Sequence, residues 1–151
     1  MANPETRIRI ENELFSRLER RYSEEEQANH LMSLLMDNYP LLSAVLLAVD
    51  RGKSPLVFAQ RGLSGEFIKD LYLRNRLPIT DAAFDGEVVL QGRDPRLSDP
   101  SWRFEHECGS LYAAPCRLQG ETLGIFLAES REPELFSPQV REEFLLYTRL
   151  C

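Results

Sequence analysis

Cysteine is scarce in this chain. Cys108, Cys116 and Cys151 stand alone, an odd number at unrelated spacings, with no CxxC pair. That excludes a dense disulfide framework and fits a reduced, cytoplasmic setting. No apolar run approaches the ~20 residues that cross a bilayer. The N-terminal stretch, residues 1–9, is polar and lacks the apolar centre of a secretory signal. The chain therefore reads as soluble, with no direct membrane contact, although it could belong to a larger membrane receptor. A dense Lys/Arg stripe is also missing. Eighteen basic residues face 24 acidic ones, for a formal net charge of −6, which excludes nucleic acid as a partner. The densest charged run holds Arg17, Glu19, Arg20, Arg21, Glu24, Glu25 and Glu26, and its mixed signs describe a solvated helix face. There is no internal repeat and no low-complexity segment.

What is present is an ordinary globular composition: 151 residues, 43% hydrophobic and 28% charged, enough for one core. The first 40 residues read as helix, with Ile8, Leu14, Phe15, Leu18 and Tyr22 roughly on one face. Ser23 and Glu26 form a capping-box pattern, and a second run through Leu31, Leu34 and Leu35 stops before Pro40. This region is either one kinked helix or two. Residues 44–49 are a short apolar run suited to a strand covered on both faces. A turn over Arg51–Pro55 leads to a returning strand, Leu56–Ala59, which Gly62 ends.

Ser64 can cap a helix whose Phe67, Ile68, Leu71 and Tyr72 share a face, and Pro78 breaks any continuation. A turn with Asp81, Phe84, Asp85 and Gly86 precedes a short strand over 87–90. Residues 91–109 form a long irregular loop, with a helical turn expected around Trp102–His106. Strands over 111–114 and 123–128 flank a tight turn at Gln119-Gly120. Phe136 precedes Ser137-Pro138, a cap followed by proline at the first helical position. The last helix carries Val140, Phe144, Leu145 and Tyr147. It reaches Cys151 without a capping glycine, as a helix would that is cut short or leads into another domain.

Two hairpins separated by a helical crossover predict an antiparallel sheet with helices on its faces. Residue patterns then add a family. The stretch Ala114–Phe126 resembles the hairpin of GAF domains, P-L-x-x-x-G-x-x-x-G followed by apolar residues, with Cys116 in place of the usual leucine. Glu134-Leu135-Phe136-Ser137 resembles the family's Phe-Ser or Phe-Thr start of the last helix, and Gly92-Arg93-Asp94-Pro95-Arg96 resembles a bacterial loop after the third strand. The resemblance covers roughly residues 25–151.

It implies an α+β sandwich of PAS-like type, with a central antiparallel sheet of five to six strands. The N- and C-terminal helices would lie on one face. The crossover helix and loops would cover a small-molecule pocket on the other, with residues 91–109 as its lid. It also implies a sensory GAF domain over 23–151, preceded by a signalling or dimerisation helix over 1–22. The expected partners are a second copy, bound through the terminal helices, and an attached output domain of the kinase, cyclase or transcription-factor type.

The better-understood chemistries of that family lack their signatures here. The cyclic-nucleotide string N-K-x-F-x-D-E is absent; Phe84-Asp85-Gly86-Glu87 shares letters but not spacing. Bilin-carrying members place histidine after cysteine, whereas here His106 precedes Cys108. His30 falls on a helix, and Cys108 beside His106 offers two ligands, too few for a metal site. No serine–histidine–acid set or phosphate-binding glycine loop occurs. Asp94-Pro95 and Asp99-Pro100 read as turn initiators.

No cofactor and no catalytic residue are therefore assigned. The pocket candidates are Phe84, Arg93, Arg96, Trp102, Phe104, His106, Cys108 and Tyr112, aromatics with a few polar groups. These aromatics could equally fill the lid's own core. The dimer-interface candidates are Ile8, Phe15, Leu18 and Tyr22. The alternative function is a stand-alone thiol enzyme like the GAF-type free methionine sulfoxide reductases, with Cys108 in the lid as its thiol. That family's G-x-G-x-C-G segment is missing; the corresponding region reads Gly65-Glu66-Phe67-Ile68.

Overall fold

A computed structural model describes residues 4–6, 8–9, 12, 24–49, 56–73, 77–118 and 120–148. Residues 4–6, 8–9 and 12 are helical. Then follow α1 (Glu24–Asn38), β1 (Leu41–Ala48), β2 (Leu56–Arg61), α2 (Gly65–Leu73), α3 (Pro78–Asp85) and β3 (Val88–Gln91). After a 3-10 turn at Pro95–Ser98 come β4 (Ser110–Leu118), β5 (Glu121–Ser130) and α4 (Pro138–Thr148). The five strands form one sheet in the order β2-β1-β5-β4-β3, and every pairing is antiparallel. This is the predicted α+β sandwich.

The middle strands β1, β5 and β4 are apolar on both faces, so each face needs its own cover. On the first face, Leu31, Met32 and Leu35 of α1 and Val140 and Phe144 of α4 bury Ala44, Leu46, Tyr112, Ala114, Phe126 and Ala128. Phe144 sits at the centre of an aromatic cluster, 4.7 Å from Tyr39, 5.5 Å from Phe126, 5.8 Å from Phe136 and 5.9 Å from Tyr112 between ring centroids. The Tyr39 hydroxyl donates to the Glu143 carboxylate, joining the end of α1 to α4. On the second face, Leu71, Leu77, Ile79, Ala83 and Phe104 cover Val45, Leu47, Leu111, Ala113, Ile125 and Leu127. The terminal helices thus share one face, and the crossover helices and the 91–109 segment share the other, as expected.

Gly124 lies where β5 meets β1. A Cβ there would stand 2.8 Å from the Leu47 carbonyl oxygen, so the central pairing needs glycine. The capping expectations hold at two helices. Ser64 Oγ accepts from the Phe67 N–H at 3.1 Å, and Ser137 Oγ accepts from the Val140 N–H at 3.3 Å. Ser23 and the Arg51–Pro55 turn lie outside the described residues, as do Phe15, Leu18 and Tyr22. Ile8 is described and is exposed.

Two expectations are corrected. Pro78 does not merely break a helix; it begins α3, where its missing N–H costs nothing at the first helical position. The expected turn at Asp81–Gly86 is therefore the body and end of that helix. Its carbonyl end is held by the β4–β5 hairpin: Arg117 donates to the Asp85 carbonyl at 2.6 Å and Thr122 to the Phe84 carbonyl at 3.0 Å. The helical turn in the long loop falls at Pro95–Ser98 and not at Trp102–His106. There Asp94 accepts from the Arg96 N–H at 3.0 Å, and Asp99 accepts from the Ser101 N–H at 3.0 Å, the turn-initiating roles expected of both.

Candidate functional site

The 91–109 segment leaves the edge strand β3 and returns into β4, crossing the second face of the sheet. Both of its feet are glycines, bonded to the last residue of β5 and to the chain just beyond it. The Gly92 N–H donates to the Pro133 carbonyl at 2.7 Å, and the Gly109 N–H to the Ser130 carbonyl at 2.8 Å. Gly92 has φ +64°, in the left-handed region that favours glycine. At Gly109 a Cβ would stand 2.3 Å from the Arg131 carbonyl oxygen, so only glycine permits the contact.

Between the feet, the lid is held from two sides. From below, Glu129 of β5 rises into it. Strand alternation puts Glu129 on the same face as Ile125 and Leu127, with Ser43 and Leu111 as its cross-strand neighbours. Its side chain is fully buried. One carboxylate oxygen accepts from Ser43 Oγ at 2.7 Å; the other accepts from the backbone N–H groups of His106 at 2.8 Å and Glu105 at 3.3 Å. From the side, the lid grips the turn before α2. Both Glu105 carboxylate oxygens lie 3.1 Å from the Ser64 N–H. His106 Nε2 lies 3.0 Å from the Gly62 carbonyl, which can only accept, so this nitrogen carries the proton. Phe104 closes the apolar layer beneath, edge-on to Phe67 at 4.8 Å.

Burial raises the Glu129 carboxyl above its ordinary range, and the bonds from Ser43, His106 and Glu105 only partly offset it. Cys108, packed at the rim of the same apolar layer, has its thiol pushed up to about 11, first by burial and then by the Glu129 charge. Cys116 is likewise pushed up to about 11 by burial, but on the opposite face, against the α1–α4 side. Their separation includes the strand from Ser110 to Cys116, roughly 20 Å at the rise of a β-strand. A disulfide needs Cα atoms within about 7 Å, so these two thiols cannot pair in this conformation. Cys151 lies outside the described residues.

The eight predicted pocket residues do not form one site. Phe84, Trp102, Phe104 and Cys108 gather on the lid-side apolar layer. His106 joins them as a clip to the Gly62 carbonyl. Arg96 is exposed; it grips Asp94 through two side-chain bonds at 3.0 and 2.8 Å, and its guanidinium lies 5.3 Å from the centre of the Trp102 ring. Arg93 is exposed. Tyr112 lies on the other face, stacked on Phe136 at 5.5 Å, with its hydroxyl donating to Glu87 at 2.7 Å. Glu129 and Ser43, the buried polar pair beneath the lid, carry no signal in the sequence that sets them apart from other strand residues. Among the described residues no group of three or more His, Cys, Asp or Glu could hold a metal ion. Among them, too, no helix is long and apolar enough to cross a membrane.

No family model matches the sequence, and neither does any curated protein. Solved structures do match its fold. The GAF domain of a phosphoenolpyruvate-protein phosphotransferase from Acinetobacter superposes with a TM-score of 0.77 at 17% identity, over 99% of this chain and 91% of that one. The corresponding domain from Coxiella burnetii gives 0.74 at 16% identity, over 98% and 91%. A free methionine-R-sulfoxide reductase from Neisseria meningitidis, solved with its substrate, gives 0.74 at 14% identity, over 99% and 89%. The fold is that of a GAF domain, a fold that serves both signalling proteins and enzymes.

Proposed function

We propose that this GAF domain is a regulatory module, in which a small molecule entering beneath residues 91–109 lifts the lid and biases an attached output domain. The observation that carries this reading is how the lid is held. Its clips are polar: Glu129 to two lid N–H groups, Glu105 to Ser64, and His106 to Gly62. A ligand with donors and acceptors of its own can replace such bonds one for one, which is harder for a lid sealed by packing alone. An attached output domain accords with the similarity to GAF domains of larger phosphotransferases. Homodimerisation through the terminal helices belongs to the same reading, as does a cytoplasmic setting.

Native mass spectrometry of freshly purified protein is the direct test. A bound small molecule, or a ligand that shifts Trp102 fluorescence in a thermal-shift library, is the expected result. An empty protein that no library member stabilises would sink the ligand half of the proposal. A monomer in light scattering at high concentration would remove the dimer half.

The second reading, a stand-alone sulfoxide reductase, draws on the similarity to such enzymes. It needs a thiolate to attack the sulfoxide sulfur and a second thiol to resolve the product. The raised Cys108 thiol and its distance from Cys116 weigh against it. Reduction of free methionine sulfoxide that disappears in Cys108→Ser would establish it over the sensory reading.

A further inference from the structure

Five hydrogen bonds from the lid, its feet and the first residue of β4 end on one short stretch of chain. Gly92 bonds to Pro133, Gly109 to Ser130, Ser110 Oγ to Glu132 at 2.6 Å, and the N–H groups of Glu105 and His106 to Glu129. The same stretch is tied to the opposite side of the domain. Ser130 Oγ donates to the Pro40 carbonyl at 2.7 Å, at the junction of α1 and β1, and accepts from the Glu132 N–H at 3.1 Å. A few residues on, the chain becomes α4. In that interval the fully buried Phe136 packs on Tyr112 and Phe144, and Ser137 caps the helix through its side chain and through its carbonyl, which accepts from the Arg141 N–H at 2.9 Å.

We propose that Glu129–Pro133 is the coupling segment of the domain: lifting the lid displaces it and, through Phe136 and Ser137, loosens the first turn of α4. Three features make the link stiff. The contacts at the feet are backbone to backbone, or from a short hydroxyl, with no long side chain to absorb movement. Gly109 lies so close to the Arg131 carbonyl that there is no space for even a methyl group between them. The interval from Pro133 to α4 is short and is anchored midway by a buried aromatic ring. Close-packed contacts of this kind transmit a displacement rather than dissipating it. The regulatory purpose of the link rests on the sensory reading above; the link itself does not need a ligand.

Amide hydrogen exchange measured by NMR on the intact chain tests the link directly. Glu105→Ala with His106→Ala removes the side clips and leaves Glu129–Pro133 untouched. The expected result is exchange about tenfold faster at Gly92 and Gly109, and also at Arg141 in α4. Coupling is reciprocal. Ser137→Ala, which removes a helix cap worth about 1 kcal/mol, is therefore expected to speed exchange at His106 and Gly109 about fivefold. Arg117→Ala, in the β4–β5 hairpin, serves as the control and is expected to leave all of these amides at wild-type rates. Faster exchange in the lid with Arg141 unmoved overturns the proposal, as does a Ser137→Ala protein whose lid is unchanged or an Arg117→Ala protein in which they accelerate alike. Unaltered exchange in the clip variant overturns the assignment of the clips. An empty domain in native mass spectrometry would defeat the sensory reading and leave this result standing.

Discussion

Replacing Glu129 separates the two things its carboxylate does, accepting three hydrogen bonds and carrying a buried charge. Glu129→Ala removes the acceptor and strands three donors: Ser43 Oγ and the N–H groups of Glu105 and His106. A buried donor left without a partner costs about 1–3 kcal/mol. The Ser43 hydroxyl is fully buried and takes that cost in full. The two lid amides can reach water if the lid lifts, so their share is smaller. The sum is about 2–4 kcal/mol, or a melting temperature lower by roughly 5–15 °C in a chain of this size. Glu129→Gln keeps the contacts, since its carbonyl can accept from the lid and its amide can donate to Ser43. It removes only the charge. In the folded protein the Glu129 carboxyl titrates above its ordinary value of 4.5. A carboxyl raised on folding contributes stability that is fully present below the unfolded pKa and is lost as pH rises through the folded one. Wild type therefore falls behind Glu129→Gln as pH rises. The two are expected to melt together near about pH 4 and to separate, with the glutamine variant higher, toward about pH 8. Thermal melts across that range decide the matter. A glutamine variant that loses as much as the alanine variant at every pH would refute the division into bonds and charge.

Two further predictions concern packing. Phe144→Ala removes the ring shared by Tyr39, Tyr112, Phe126 and Phe136 and is expected to cost about 3–5 kcal/mol in chemical denaturation. A loss under 1 kcal/mol would mean that α4 is not part of the core. Gly124→Ala drives a methyl group to 2.8 Å from the Leu47 carbonyl and is expected to lower stability by about 2 kcal/mol by parting β1 from β5, whereas Gly120→Ala meets no neighbouring atom and tests the backbone strain of φ +81° alone.

The sequence showed most clearly those elements whose ends carry chemistry of their own. Ser64 and Ser137 are caps with an acceptor, and each marks a helix correctly. The start of α3 has no such mark: Leu77 stands in the capping position without a side-chain bond, and Pro78 reads as a breaker until the chain is seen to turn helical after it. Tyr112 illustrates a second limit. In a strand buried on both faces, Leu111, Tyr112 and Ala113 are all apolar, so alternation cannot tell which side each takes. The sequence alone therefore groups the tyrosine with the lid aromatics, whereas the fold packs it under the terminal helices. Glu129 was hidden by position. A carboxylate after the apolar run Ile125–Ala128 looks like the solvated end of a strand, and only the tertiary fold lays the 91–109 segment across it.

Burying Glu129 has a consequence for the neighbouring thiol that bears on both functional readings. The Cys108 thiol is raised by burial and then by the Glu129 charge, whereas the Cys116 thiol, raised just as far, owes its shift to burial alone. At pH 8 a thiol titrating near 11 is ionised about one part in a thousand, so both are expected to label slowly in the folded protein. Glu129→Gln removes the repulsion at Cys108 and leaves Cys116 as an internal standard. In a Cys151→Ser background, alkylation followed by peptide mapping is expected to show Cys108 gaining reactivity relative to Cys116. Equal gains at both cysteines would indicate general loosening of the fold and not an electrostatic effect. No gain at Cys108 would show that the carboxylate does not hold its thiol neutral. If the gain appears at Cys108 alone, the group that latches the lid also adds to the burial that keeps the thiol beneath it neutral.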